Sequence, residues 1–378
     1  MSNLENVLKQ YDYPLSPEII ALNPASPRDS AKLLVYDRAI GEVSFDTYLN
    51  LDKHLPENAL LIFNNTKVIP ARLPALLPTG GKVELLWIKD LSKNTFEALS
   101  PRSLDVGDTL RLGNCNLTVA AKNGSLYTIL FDCSPAQFKK ILLQLGTTPI
   151  PPYLKSTSLK ERELRDRYQS IFAKYEGSAA APTASLHFTP RLFAKIRKRK
   201  IQITYVTLHV GLGTFAPLTA EHLKSGTLHD EYFEIPPATI RAIQKAQSEN
   251  RPIIAVGTTA LRGVESAFSS HAPTRPELEI AFKGALQRGG AKPEQFSSKK
   301  IAYPAKAISI SGHTTLFIQP GYNFKIITGL ITNFHVPKSS LLMLVASLIG
   351  RGKLLALYAL AASRGFRFFS FGDGMLIK

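Results

Sequence analysis

One event recurs at least five times along this chain: a short apolar run ends, and His, Asn, Thr, Lys or Asp follows at once. The run 59–63 stops at Asn64-Asn65-Thr66-Lys67, and the run through Leu208 stops at His209 and continues as Gly211-Leu212-Gly213-Thr214-Phe215. The run 252–256 stops at Gly257-Thr258-Thr259, the run 326–332 at Asn333-Phe334-His335, and the run 367–371 at Gly372-Asp373. Buried strands that release polar residues at one end are how open α/β sheets and (β/α) barrels build sites. A single case is a plain Asx turn. Recurrence is what points to an α/β catalytic domain. Residues 179–215 are the densest part, because two apolar runs there each bring a histidine, His187 and His209, to a break point.

The texture changes between about 73 and 146. Short apolar runs alternate with turn signals such as Thr79-Gly80-Gly81, Val106-Gly107-Asp108 and Asn123-Gly124. That pattern predicts a small antiparallel β-barrel, closed by a helix over 134–145. Pro151-Pro152 then reads as a rigid linker. The expected organisation is a discontinuous α/β domain, 1–71 with 151–378, interrupted by a β-barrel at 72–150. Both cysteines, Cys115 and Cys133, fall in the insert and outside any CxxC pair. Core packing is their expected role, with neither a disulfide framework nor a structural zinc site.

Lys and Arg number 46 against 29 acidic residues, a formal charge of +17 over 378 residues. An excess of that size suits a polyanionic partner such as nucleic acid. Neither an apolar leader nor a stretch of the roughly 20 apolar residues needed to span a bilayer is visible, so a cytoplasmic protein away from membranes is expected.

The motifs exclude more than they specify. Four histidines, His187, His209, His229 and His335, lack the H-E-x-x-H or paired spacing of a metal centre, so no metal is expected. Ser185 lies two residues before His187, but a G-x-S-x-G elbow is absent. A P-loop and a strand-borne G-x-G-x-x-G are absent as well. Gly257-Thr258-Thr259 reads as the start of a helix whose free N–H groups favour an anionic or polar ligand, with Arg262 and Glu265 one and two turns on.

At this point the chain resembles a known family almost end to end: the S-adenosylmethionine:tRNA ribosyltransferase-isomerases of queuosine biosynthesis. The resemblance is carried by YDYPLSPEIIALNPASPRDSAKLLVYDR, IFNNTKVIPARL, RYQSIFA, AAPTASLHFT, VTLHVGLGTFAPL, LHDEYFEI, IAVGTTALRGVES, FIQPGY, LITNFHVPKSSLLMLV and FRFFSFGDGMLI, in that order. The chain departs from the family pattern at Asn65, Ser185, Ala216 and Leu360, where Asp, Gly, Arg and Glu are usual.

The resemblance implies a larger barrel-like α/β domain with an inserted β-barrel. It implies transfer of the ribosyl part of S-adenosylmethionine, a co-substrate, to a 7-aminomethyl-7-deazaguanine base in the anticodon stem-loop of tRNA. No resident cofactor is implied, and a monomer is expected. A non-catalytic tRNA-binding homologue is the alternative. On this reading His209, His187 and Glu265 are candidate bases, in that order, because a sulfonium acidifies the neighbouring C–H. His335, Asn333 or Asp373 would assist departure of adenine. Gly257, Thr258 and Thr259 would hold a carboxylate or a ribose hydroxyl. Lys67, Arg72, Arg167 and Arg262 would bind phosphate or carboxylate. Thr183, Thr207, Gly211, Gly213, Thr214 and Phe215 would shape the pocket, and Asn64, Thr66, His229, Glu231, Tyr322, Lys338 and Ser339 would complete the substrate contacts.

Overall fold

The computed structural model describes residues 3–92, 94–211, 218–268 and 309–378. Its frame is a nine-stranded sheet. From one edge the order is β15 (Ile310–Leu316), β13 (Thr227–Ile235), β12 (Gln202–Leu208), β3 (Leu60–Asn64), β14 (Ile253–Val256), β16 (Gly329–Asn333), β17 (Gly374–Ile377), β1 (Lys32–Tyr36) and β2 (Val43–Thr47). The four central strands, β12, β3, β14 and β16, are mutually parallel. Their C-terminal ends therefore lie on one side. Strand β17 runs against β16 and parallel to β1.

The central strands carry no polar face, as expected for strands covered on both sides. In β3, Leu60 and Ile62 enter one core while Leu61 and Phe63 enter the other. Strand β14 divides in the same way, Ile253 and Ala255 against Ile254 and Val256. The first core is covered by helices Pro237–Ser248, Thr258–Phe268, Ser340–Ile349 and Arg351–Ser363. The second is covered by Leu51–His54 and Pro190–Lys198. The result is a three-layer α/β domain. The two helices after β16 bend by 108° at Gly350, and no single helix among the described residues is long and apolar enough to cross a membrane.

The insert is a closed six-stranded antiparallel barrel in the order β10 (Leu126–Phe131), β7 (Thr95–Leu99), β6 (Lys82–Ser92), β5 (Arg72–Leu76), β8 (Thr109–Leu112) and β9 (Cys115–Asn123). Helix Pro135–Leu145 closes it as the sequence predicts. Ser134 caps that helix in a capping box with Gln137, and Phe138 stacks on Phe131 at 4.3 Å. Two strands outside both sheets, β4 (Thr66–Val68) and β11 (Tyr175–Ser178), pair in parallel beside the barrel.

Three expectations need correcting. Cys115 and Cys133 are joined as a disulfide, with Cα atoms 5.5 Å apart. Antiparallel pairing of β9 with β10 sets the two side by side, and spacing along the chain does not reveal that register. The run ending at His187 is a short 3-10 helix, Thr183–His187, because Pro182 starts a turn there. The run 367–371 is a turn, and the strand lies after Asp373.

Strand β17 requires a glycine at its start. A methyl group on Gly374 would lie inside van der Waals contact of the Tyr48 hydroxyl and the Thr332 carbonyl. Gly374→Ala is expected to lower stability by about 1–3 kcal/mol, the range for overpacking a tight interior. A lower midpoint in urea denaturation is the check, and an unchanged one refutes it.

Candidate active site

Parallel strands ending at one level bring together segments far apart in sequence. Asn64, at the end of β3, sets the geometry. Its side-chain amide donates to the Leu208 carbonyl at 2.9 Å and accepts from the Leu208 and Thr66 N–H groups at 3.0 and 3.1 Å. The side chain thus extends the β3–β12 ladder past its last backbone pair and fixes where His209, Val210 and Gly211 leave the sheet. Asn65 accepts from Thr207 Oγ1 at 2.7 Å. Strand β14 ends in Gly257 at φ +93°, a left-handed turn that suits glycine. The turn starts helix Thr258–Phe268 directly.

A cavity of about 400 Å³ opens at these strand ends. One wall is Thr183, Asn333 and His335, and a second is Gly257, Thr258, Thr259 and Arg262. His229 and Glu231 of β13 form a third, and Tyr153, Tyr168, Phe369 and Ser370 a fourth. Three buried side-chain atoms on these walls have no hydrogen-bond partner: His229 Nε2, Thr259 Oγ1 and Arg262 Nη2. Unpartnered buried polar atoms cost about 1–3 kcal/mol each, so their convergence on one cavity marks a place for a polar ligand. Other polar groups on the walls are bonded to one another. Thr183 Oγ1 donates to Asn333 Oδ1 at 2.9 Å, and Tyr153 and Ser370 share a 2.7 Å hydroxyl contact.

Other candidates stand away from the cavity. His187 receives the Asn333 amide at Nε2, 3.2 Å away, and stacks on Tyr48 at 4.2 Å, one layer behind the wall. His209 meets Thr66 Oγ1 at 2.8 Å and lies beside Tyr232, while its neighbour Val210 reaches the cavity. Glu265 has both oxygens occupied: it accepts the N–H groups of Lys325, Ile326 and Ile327 and the Tyr322 hydroxyl. Glu265 and Tyr322 thus anchor the loop before β16. Asp373 accepts the N–H groups of Lys32 and Arg367, both at 2.7 Å, and faces the start of β1. Lys67 pairs with Glu176, Arg72 with Glu84, and Lys338 with Asp12. Arg167 is exposed on its helix. Ser339 caps helix Ser340–Ile349, and Ser340 beside it lines the cavity. Gly211 donates to Glu231, whereas Gly213, Thr214 and Phe215 lie outside the described residues.

Burial sets the protonation of the histidines. Desolvation lowers His335 from 6.5 to about 4. It lowers His187 to about 3, against the opposing effect of a hydrogen bond from the imidazole to the Arg28 backbone. Burial also lowers His209. For His229 burial is the main cause, reinforced by His222 and opposed by Glu231. All four are therefore neutral at pH 7. Among the described residues, the one trio of side chains within metal-ligand reach is Cys115, Asp132 and Cys133 in the barrel, where the two sulfurs are bonded to each other.

Sequence reasoning missed the fourth wall. Pro151 and Pro152 read as a linker, yet they and Tyr153 line the cavity. Phe369 adopts φ +74°, an uncommon conformation for an aromatic residue, and its ring lies 4.8 Å from Tyr153. No residue-level signal announces that conformation, although the aromatic density of Phe366, Phe368, Phe369 and Phe371 marks the segment as buried.

Fold and cavity together define the α/β class of protein whose candidate site lies at the ends of parallel strands, here beside an inserted β-barrel. A family model described as a queuosine biosynthesis protein matches residues 8–377, and the chain belongs to that family. The S-adenosylmethionine:tRNA ribosyltransferase-isomerase of Carboxydothermus hydrogenoformans is 42% identical over 376 residues, 98% of this chain and 99% of that protein. The protein of the same name from Halothermothrix orenii is 38% identical over 378 residues, with the same coverage of 98% and 99%. The crystal structure of an S-adenosylmethionine tRNA ribosyltransferase from Thermotoga maritima aligns at a TM-score of 0.50 and 27% identity, covering 98% of this chain and 100% of that one.

Two outcomes are expected. Asn64→Ala removes three hydrogen bonds at a fully buried position, so it costs at least about 2 kcal/mol. Urea denaturation measures that loss, and a variant as stable as the parent contradicts the clamp. The second outcome concerns pH. His187 and His335 bind protons less readily folded than unfolded, so their contribution to stability is complete above pH 6.5 and declines as pH falls toward 4 and 3. His335→Gln should flatten this acid-side decline in the denaturation midpoint, and an unchanged slope refutes the assignment.

Proposed function

We propose that this chain, an enzyme of the transferase class, moves the ribosyl part of S-adenosylmethionine onto tRNA and isomerises it, the activity in the names of its relatives. In this reading the acceptor is the 7-aminomethyl-7-deazaguanine base at the wobble position of the anticodon. The products are epoxyqueuosine-tRNA, adenine and methionine. The observation that carries the reading is that three residues lining one cavity at the strand ends, His229, Thr259 and Arg262, each hold a buried side-chain atom without a partner.

The route begins at the carbon between the sulfonium and the ribose ring, whose proton the positive sulfur acidifies. His229 is the base that the geometry supports best, because its imidazole is neutral and its buried Nε2, in a side chain that lines the cavity, has no hydrogen-bond partner. The electron pair left by deprotonation opens the ribose ring and expels adenine. The Asn333 amide and His335, held beside Thr183 and Thr332, supply polar edges for the departing purine. Tyr153 and Phe369 offer flat apolar faces suited to stacking a purine. The aminomethyl nitrogen of the tRNA base then adds to the opened chain, and closure of the epoxide displaces methionine. His209 and His187 support this site from behind. The excess of cations matches a tRNA partner.

Incubation with S-adenosylmethionine and tRNA bearing the aminomethyl base should release adenine. tRNA binding without adenine would instead identify a non-catalytic homologue. His229→Gln should lower kcat by about 10²-fold or more, the usual worth of a positioned base. His209→Gln should cost far less. The acid limb of the kcat/KM profile should fall below pH 6.5, since burial lowers His229. Equal losses in the two variants would remove His229 from the role.

A further inference from the structure

The cavity contains an ion pair that does more than neutralise charge. Arg262 is 8% exposed and Glu231 4%. The guanidinium is held from two sides: Nε donates to the Leu316 carbonyl of β15 at 3.1 Å, and Nη1 pairs with Glu231 Oε2 of β13. Those two bonds fix the plane of the group and leave Nη2 buried without a partner. Arg262 lies one turn along helix Thr258–Phe268 from Thr259, whose hydroxyl is also unpartnered. The N-terminus of the same helix opens on the cavity through Thr258 and Thr259. A positively charged donor, a hydroxyl and the positive end of a helix on one wall are matched to a carboxylate.

We propose that Arg262 Nη2, with Thr259, binds the α-carboxylate of the amino-acid arm of the sulfonium substrate, and that Glu231 is the positioning residue that aims it. The inference rests on the reading of S-adenosylmethionine as co-substrate. Glu231 has a second task, because its Oε1 accepts the Gly211 N–H at 3.1 Å. One carboxylate thereby ties the carboxylate-binding arginine to the backbone that leaves β12. Specificity for an intact amino-acid arm arises on this wall. The base and purine contacts lie on the others.

Decarboxylated S-adenosylmethionine provides the test, with adenine release measured in the presence of the acceptor tRNA. The parent enzyme should have a KM about 10- to 100-fold lower for S-adenosylmethionine than for the decarboxylated compound, the range for one charge-assisted hydrogen bond. Arg262→Lys and Glu231→Gln should bring that ratio close to one, chiefly by raising KM for the carboxylated substrate. Equal KM values for both compounds in the parent overturn the proposal whether or not the variants fold, and leave the proposed reaction intact. A change confined to the KM for tRNA would assign Arg262 to a phosphate and also overturn it. Absence of adenine release from S-adenosylmethionine itself would refute the underlying reaction instead.

Discussion

The amide of Asn64 determines where the strand ends face one another. Backbone pairing between β3 and β12 stops at Val206 and Asn64, and the side chain then takes over the next pair of hydrogen bonds. Without it, Leu208 would present a buried N–H and C=O to an apolar layer, and the exit of β12 would be free to fray. With it, His209 meets Thr66, Val210 reaches the cavity and Gly211 meets Glu231. Each of these contacts depends on a single register between two parallel strands, and a side chain at the end of the ladder holds that register most economically.

Much of this was legible in the chain itself. Runs such as 59–63 and 253–256 are apolar on both faces, which requires cover on both sides, and the polar residues that follow them do converge. The turn signals between 73 and 146 announced the antiparallel strands that close into the six-stranded barrel. Individual roles were less legible, because a polar residue at a strand end can face the cavity or the layer behind it. His187 and His335 follow similar apolar runs, yet one stacks on Tyr48 and the other lines the cavity. Glu265 looked like a reactive acid beside Arg262. Its three backbone donors show instead a carboxylate spent on fastening a loop, and such donors leave no trace in side-chain identity. Tyr153 and Phe369 were missed because the cavity wall they form comes from a turn and a proline-rich segment that converge only in three dimensions.

The charge excess also resolves into parts. Several cations first read as phosphate ligands are engaged within the protein. Glu176 of β11 receives both Lys67 of β4 and Lys139 of the helix closing the barrel, and these pairs hold Glu176 below the usual carboxylate range. Lys67 and Lys139 are about half to two-thirds exposed at their side chains, so screening makes the pairs weak individually. Their position is more informative than their strength, since Glu176 joins the two strands β4 and β11 through Lys67 and joins them to the insert through Lys139. Cations in excess of such pairs supply the long-range field that a polyanion meets first.

The place of β17 in the sheet has a consequence for how the protein is made. Strands β1 and β2 join the nine-stranded sheet only through β17, which lies between them and β16. A ribosome produces β1 and β2 early and β17 after every other described strand. The barrel, built from one continuous stretch of chain, has all its partners at hand long before then. The larger domain does not, and its first hairpin, which carries the buried Leu33, Leu34 and Val35, takes its place in the sheet only once β17 has been made. Synthesis order thus divides the molecule into a unit that matures early and a sheet that closes last, and the interval between them is when nascent chains are most exposed to misassociation.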